Sequence, residues 1–417
     1  MLTNFSFKNY KTFANKVNVS LTANLSIKRF LCNSFELDNR RILKTIGVYG
    51  PNNTGKTCLV LALANLKTIM LNAPHEDLTN SFIADNVIHY EVEFNIKKRN
   101  YRYIVSYDCQ KKEYLEEELS TFSVAPQNNS VKSYSLLIRR DKKGIVIPTL
   151  HIDEKSNPSI ANMISSNYPI VLTINFDPKS PLGIAKKDYL DFANSIILLR
   201  LDGNMDLSKT INLMQNDPKA SLFISEFIKN CDLHISDFGF SDEVKSDVDI
   251  SNMIKKVVAP ENLKFYSVHK EHRVPSFVFD SLGTQKLIAL SGYIYEAIKY
   301  GRILLVDEID SSLHHILTRS IISLFNNELN KKAQLVFSTH DLLLMDLQNM
   351  FRKDQIYLTN IDSQTNESYV VHLSDFSSRD ESGLRGDEDI VDYYLHGRFG
   401  AIPSPELFEL LEAATDE

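Results

Sequence analysis

Residues Gly50, Pro51, Asn52, Asn53, Thr54, Gly55, Lys56 and Thr57 form the pattern GxxxxGK[ST], set between an apolar run, Ile46 to Tyr49, and a helical run, CLVLALANL. Glycines in such a loop let successive backbone N–H groups wrap phosphate oxygens at a helix N-terminus. Lys56 adds a mobile positive charge for β and γ phosphates, and the Thr57 hydroxyl is placed to ligate Mg²⁺. The alternative, a glycine-containing turn that happens to precede a helix, does not explain the strand before it or the lysine and threonine after it. The chemistry expected here is binding of ATP with Mg²⁺.

Two further groups belong to the same chemistry. Ile303-Leu304-Leu305-Val306 reads as a buried strand with Asp307 and Glu308 at its carboxyl end, where open α/β sheets bind ligands. Asp307 is expected to hold Mg²⁺, and Glu308 to polarise the attacking water as general base. A third strand, Gln334 to Thr339, ends at His340-Asp341. His340 is then placed to donate to a γ-phosphate or to orient the water.

These residues need a parallel sheet to carry them, and the chain has the composition for one. Its 417 residues are 43% hydrophobic and 24% charged, enough for two or three domains with a sizeable core. A net charge of -7 argues against coating nucleic acid by bulk electrostatics, so any DNA binding must be local. The four cysteines (Cys32, Cys58, Cys109 and Cys231) form no CxxC pair, which points to reduced cytoplasmic thiols rather than zinc or disulfides. The start MLTNFSFKNYKTF lacks a signal-peptide pattern, and apolar runs such as Leu342 to Met345 are far shorter than the ~20 residues a bilayer requires. An export system would need a separate membrane subunit.

Alternation over residues 2–22 and the run at 46–49 predict strands of one sheet. Between 88 and 150 the runs YEVEFNI, YRYIVSY, SYSLLI and GIVIPTL, separated by KKRN and DKKG, predict an antiparallel β-lobe. Residues 156–270 are expected to be a helical insertion, without the sustained heptads of a coiled-coil arm. After 274, short buried strands alternating with helices predict return to a parallel sheet split by that insertion. The expected division is 1–155, ATPase lobe with phosphate loop and β-subdomain; 156–270, insertion; 271–376, ATPase lobe; 377–417, tail.

In this order the motifs resemble the ATP-binding-cassette (ABC) ATPase superfamily. More narrowly, they resemble the AAA-type ATPases of bacterial anti-phage and abortive-infection systems, related to the SMC, RecF and OLD groups. The resemblance covers residues 1–64 and 274–403 and rests on Ser281-Leu282-Gly283-Thr284-Gln285-Lys286, VDEIDSSLHH, FSTHD and YLHGRFGAIP. It implies an α/β ABC-type P-loop ATPase with a split parallel sheet, converting ATP and water to ADP and phosphate. It also implies a homodimer or higher oligomer in which Ser281, Gly283 and Thr284 face the γ-phosphate held by the other protomer.

Departures bound what the resemblance carries. His315 stands where the family usually has proline, no glutamine in the β-lobe is assigned to the metal, and the insertion matches no known pattern. Phe7 to Phe13 resembles a turn beside the bound nucleotide, with Tyr10 or Lys11 touching base or phosphate; an ordinary polar turn is the alternative. The implied role is a defence ATPase that senses or scaffolds a partner effector. A RecF-like DNA-maintenance ATPase is the alternative; it predicts a positively charged groove across the top of a dimer, to which the basic runs 97–99 and 139–143 contribute unless they are solvated hairpin tips. A nuclease of the OLD type is not expected after His340, and the signature disfavours a transporter.

Overall fold

The computed structural model describes residues 1–73, 85–125, 128–148, 167–201, 206–231, 234–244, 246–247, 258–376 and 390–400. The tail run 377–389 and the end of YLHGRFGAIP lie outside them.

Two large sheets organise the chain, besides a two-stranded antiparallel hairpin of β3 (Ser34–Leu37) and β4 (Arg40–Leu43). Strands β1 (Leu2–Lys8), β2 (Val17–Ser20), β6 (Val87–Ile96), β7 (Arg99–Asp108), β8 (Glu113–Ala125), β9 (Asn128–Asp141) and β10 (Gly144–Val146) form a seven-stranded sheet in the order β10-β9-β8-β7-β6-β1-β2. All of its pairings are antiparallel. Lys97 and Lys98 make the β6–β7 turn with φ of 50° and 66°, the left-handed pair that a two-residue hairpin demands.

The second sheet carries β5 (Thr45–Tyr49), β11 (Ile196–Arg200), β15 (Ile303–Asp307), β16 (Gln334–Thr339), β17 (Ile356–Ile361) and β18 (Ser368–His372) in the order β11-β15-β16-β5-β17-β18. Every pairing is parallel except that of β18, the antiparallel edge. Its strands alternate between two cores. Ile46, Val48, Ile303, Leu305 and Val336 join the core shared with the β-lobe, whereas Leu304, Val306, Leu335 and Phe337 join the opposite one. Burial on both faces is why ILLV is continuously apolar instead of alternating.

Helix α1 (Lys56–Met70) and helix α2 (Pro181–Ser195) pack in the first core. Helices α3 (Ser208–Asn216), α4 (Pro218–Cys231), α5 (Leu282–Tyr300) and α6 (His315–Asn326) contribute to the second. The sequence sets the ends of α5 clearly. Ser281 Oγ accepts the Thr284 N–H at 3.1 Å, and Gly301 ends the helix at φ 68° with its N–H on Ala297 O. Among the described residues no helix is long and apolar enough to cross a membrane.

Two expectations need correction. Residues 2–22 and 46–49 do not share a sheet: β1 and β2 close the antiparallel sheet, and β5 lies inside the parallel one. The stretch 156–270 is not purely helical either. Ile196–Arg200 is an edge strand of the parallel sheet, in register with Ile303–Asp307, and Asp237–Phe240 (β12) joins Phe265–His269 (β13) and His272–Pro275 (β14) in a small antiparallel sheet. A short apolar run such as IILL after a helix fits helix and buried strand equally well by periodicity, and here its pairing with β15 decides.

The two large sheets are tied by a buried amide. Gln334, on β16, donates to Leu2 O and Leu43 O at 2.9 and 3.1 Å and accepts the Leu2 N–H at 2.7 Å. Gln334→Ala leaves these backbone groups unpaired in a site without solvent, so denaturant unfolding should show a loss of at least about 2 kcal/mol.

Candidate functional site

The loop at 50–57 begins where β5 leaves the sheet, and its neighbours dictate its glycines. A Cβ on Gly50 would lie 2.5 Å from both the carbonyl and the hydroxyl oxygen of Thr359, on adjacent β17. Gly55, at φ 100°, would bring a Cβ within 2.8 Å of the Phe13 ring. Thr54 Oγ1 bonds Pro51 O at 2.8 Å and shares a hydrogen bond with Thr359 Oγ1 at 2.7 Å, bracing the loop from within.

Lys56 is only 5% exposed. Its Nζ donates to Gly50 O at 2.8 Å and Pro51 O at 2.7 Å, so the ammonium is folded into the loop. Burial pulls its pKa down to about 8, against the opposing pull of Glu308, Asp307 and Asp310.

The acids sit at the carboxyl end of β15. Asp307 is buried, and its Oδ1 accepts Thr57 Oγ1 at 3.0 Å and Ser338 Oγ at 2.6 Å. The Glu308 N–H bonds the same Ser338 hydroxyl at 2.8 Å, and Glu308 takes a φ of 52°. Its carboxylate, partly open to solvent, stands 3.9 Å from His340 Nε2. Burial, and after it the Lys56 charge, hold the His340 imidazole below its ordinary range and favour the neutral ring. Asp310 accepts the His340 N–H at 3.3 Å, while its Oδ1 is buried without a hydrogen-bond partner.

The phosphate-loop residues, Asp307, Glu308 and His340 are thus brought to one end of the parallel sheet. Thr57 Oγ1 and Asp307 Oδ1, hard oxygens already in contact, are a donor set suited to Mg²⁺. Ser281, Gly283 and Thr284 form a separate group at the start of α5. Ser281 is exposed, but Thr284 is buried with its hydroxyl 3.0 Å from Ser281 Oγ. Gly283 backs onto its own chain, since a Cβ there would lie 2.8 Å from Ser312 O. Lys286, also buried, donates to Ser311 Oγ at 2.7 Å, which ties the helix start to the segment following Glu308.

Other sequence expectations fare differently. Tyr10 is wholly buried, packed against Phe7 and Tyr90, so it is unavailable to a nucleotide base. It is Phe13 that reaches the loop. The basic runs lie apart on the sheet: 97–99 holds the β6–β7 turn, whereas Arg139 and Arg140 pair with Glu118 and Glu117 toward the opposite end. Arg140 is moreover held in a buried ion pair with Glu117. Ser338, Asp310 and Thr359 were missed. The first two lie inside FSTHD and VDEID, but nothing in the sequence assigns their side chains a partner.

Comparison with known proteins gives one family. The model described as "AAA domain, putative AbiEii toxin, Type IV TA system" matches residues 46–346. No curated protein matches. Among solved structures, the SMC head domain from Thermotoga maritima is similar at 11% identity and a TM-score of 0.39, covering 89% of this chain and 98% of that one. The SmcHead bound to the C-winged helix domain of ScpA gives 13%, 0.42, 89% and 97%. The Smc head with an extended coiled coil, bound to the C-terminal domain of ScpA derived from Pyrococcus furiosus, gives 14%, 0.37, 89% and 95%.

Lys56 supplies a test of the loop by itself. Just above pH 8 part of its population is neutral. Phosphate oxygens favour the charged form, so binding of a nucleoside triphosphate at that pH should take up protons, and affinity should fall as pH rises further. Calorimetry in buffers of different ionisation enthalpy measures the uptake, which Lys56→Met should abolish.

Proposed function

Because the chain belongs to the AAA domain family whose model spans residues 46–346, we propose that it binds Mg²⁺ and ATP at the loop 50–57 and hydrolyses the ATP at a composite site between two protomers. The single observation that carries this reading is the convergence of Lys56, Thr57, Asp307, Glu308 and His340 at one end of the parallel sheet.

Each residue then has a physical task. Backbone N–H groups of 50–57 hold the phosphates at the α1 N-terminus, and Lys56 exchanges its carbonyl partners for phosphate oxygens. Thr57 and Asp307 hold Mg²⁺, which when bound neutralises charge on the β and γ phosphates. Glu308 takes a proton from the attacking water, and the neutral His340 ring orients that water or donates to the γ-phosphate. Ser281, exposed at the α5 N-terminus, faces the nucleotide of the second protomer. Gly283 permits the packing of its own helix on Ser312, and the buried Thr284 supports the Ser281 cap.

The cellular role we propose is anti-phage defence, with ATP-driven closure of a homodimer or larger oligomer holding or releasing a partner effector. The toxin–antitoxin description of the family supports it. The DNA-maintenance alternative would have to draw on two basic runs that lie toward opposite ends of the antiparallel sheet.

Glu308→Gln should retain ATP binding and slow hydrolysis by roughly 10² to 10⁴. Wild-type turnover in a phosphate-release assay would remove Glu308 as the base.

The trans arrangement needs a substitution that spares the protomer's own packing, and Gly283 is unsuitable because any side chain there meets Ser312 O. Ser281→Asp keeps a good helix cap but sets a negative charge against the partner's phosphates. Alone it should bind ATP without hydrolysing it. Mixed with Lys56→Ala chains it should recover part of the activity, because one intact composite site forms in each mixed dimer. No recovery despite mixed assembly would rule against trans action.

A further inference from the structure

We propose that Ser338 is a positioning residue that sets divalent-cation affinity and the placement of Glu308 by acting through Asp307. This rests on the reading of Thr57 and Asp307 as the groups that hold the cation beside ATP.

The geometry leaves the Ser338 proton one destination. A hydroxyl has a single proton, and the Glu308 N–H, arriving at 2.8 Å, occupies a lone pair of Oγ. The proton is therefore directed to Asp307 Oδ1 at 2.6 Å. A hydrogen bond from a hydroxyl to a carboxylate is of the short, charge-assisted kind, and it holds the carboxylate in one rotamer. Oδ1 also accepts from Thr57 Oγ1 at 3.0 Å, so the cation's protein donors and Ser338 form one connected network.

The same residue grips the chain beyond Asp307. Ser338 Oγ takes the Glu308 N–H, and Ser338 O takes the Ile309 N–H at 3.0 Å. Between these two bonds Glu308 adopts its φ of 52°, a conformation that L-residues hold only when their surroundings impose it. Ser338 is fully buried on a strand whose neighbours Val336 and Phe337 are apolar. An apolar side chain there would pack, but it would leave both the Asp307 carboxylate and the Glu308 N–H without this partner.

The test is Ser338→Ala, read with Mn²⁺ as the cation probe. Electron paramagnetic resonance would follow Mn²⁺ binding in the presence of a non-hydrolysable ATP analogue, and calorimetry in chelator would give metal-free nucleotide affinity. Mn²⁺ affinity should fall about tenfold or more, the usual effect of removing a residue that orients a metal ligand, with metal-free nucleotide affinity unchanged. Turnover at saturating Mn²⁺ should fall as well, because Glu308 loses its anchor. Ser338→Cys, with similar volume and a weaker donor, should lie between wild type and Ser338→Ala, and serves if the alanine variant does not fold. Unchanged Mn²⁺ affinity, or an equal loss of metal-free nucleotide affinity, would overturn the proposal. A wild-type protein with no nucleotide-dependent Mn²⁺ binding would overturn the cation reading itself.

Discussion

The central parallel sheet is buried on both faces, and that constraint governs where this chain can place polar chemistry. Along Ile303 to Val306 and Leu335 to Phe337 every side chain enters one core or the other. At the strands' carboxyl ends the backbone leaves the sheet, and there Gly50, Asp307 and His340 emerge from neighbouring strands. The apolar interior thus concentrates the charged groups at one edge. The low-polarity ground behind them strengthens each interaction they make.

Crowding at that edge explains several features at once. Thr359 leaves no space for a side chain at Gly50, and Phe13 leaves none at Gly55. Packing against β17 and the N-terminal turn therefore presses the loop into shape. The buried ammonium of Lys56 is kept by two loop carbonyls, and its lowered pKa records the cost of burial that nearby acids only partly offset. Two neutral carbonyls are weaker partners for an ammonium than anionic oxygens would be.

The start of α5 shows a second use of close approach. Gly283 lets the helix meet Ser312 O, and Lys286 crosses to Ser311, so the start of α5 packs on the segment that follows Glu308. A motif glycine expected to face a ligand serves the protomer's own packing. Its replacement cannot isolate one role from the other.

Much of this was legible in the linear chain. GxxxxGKT, the apolar strand ending in Asp307-Glu308, and the strand ending at His340 are local patterns, and local sterics and hydrogen bonding make their meaning nearly independent of the rest. The hairpins at 97–98 and 141–144 and the helix cap at Ser281 are local in the same sense. The membership of strands in sheets was not legible, because β1 and β5 differ in partner and not in pattern, and IILL reads alike as helix or strand until β15 pairs with it. Nor was the burial of Tyr10, the separation of the two basic runs, or the grip of Ser338 on Asp307 and Glu308. The sequence by itself determined which residue types stand in the loop and at the strand ends, since local spacing decides that. Only the tertiary structure decided which groups hold those residues in place, because such contacts join positions 30 or 305 residues apart, as from Ser338 to Glu308 or Thr54 to Thr359, where no local pattern records the pairing.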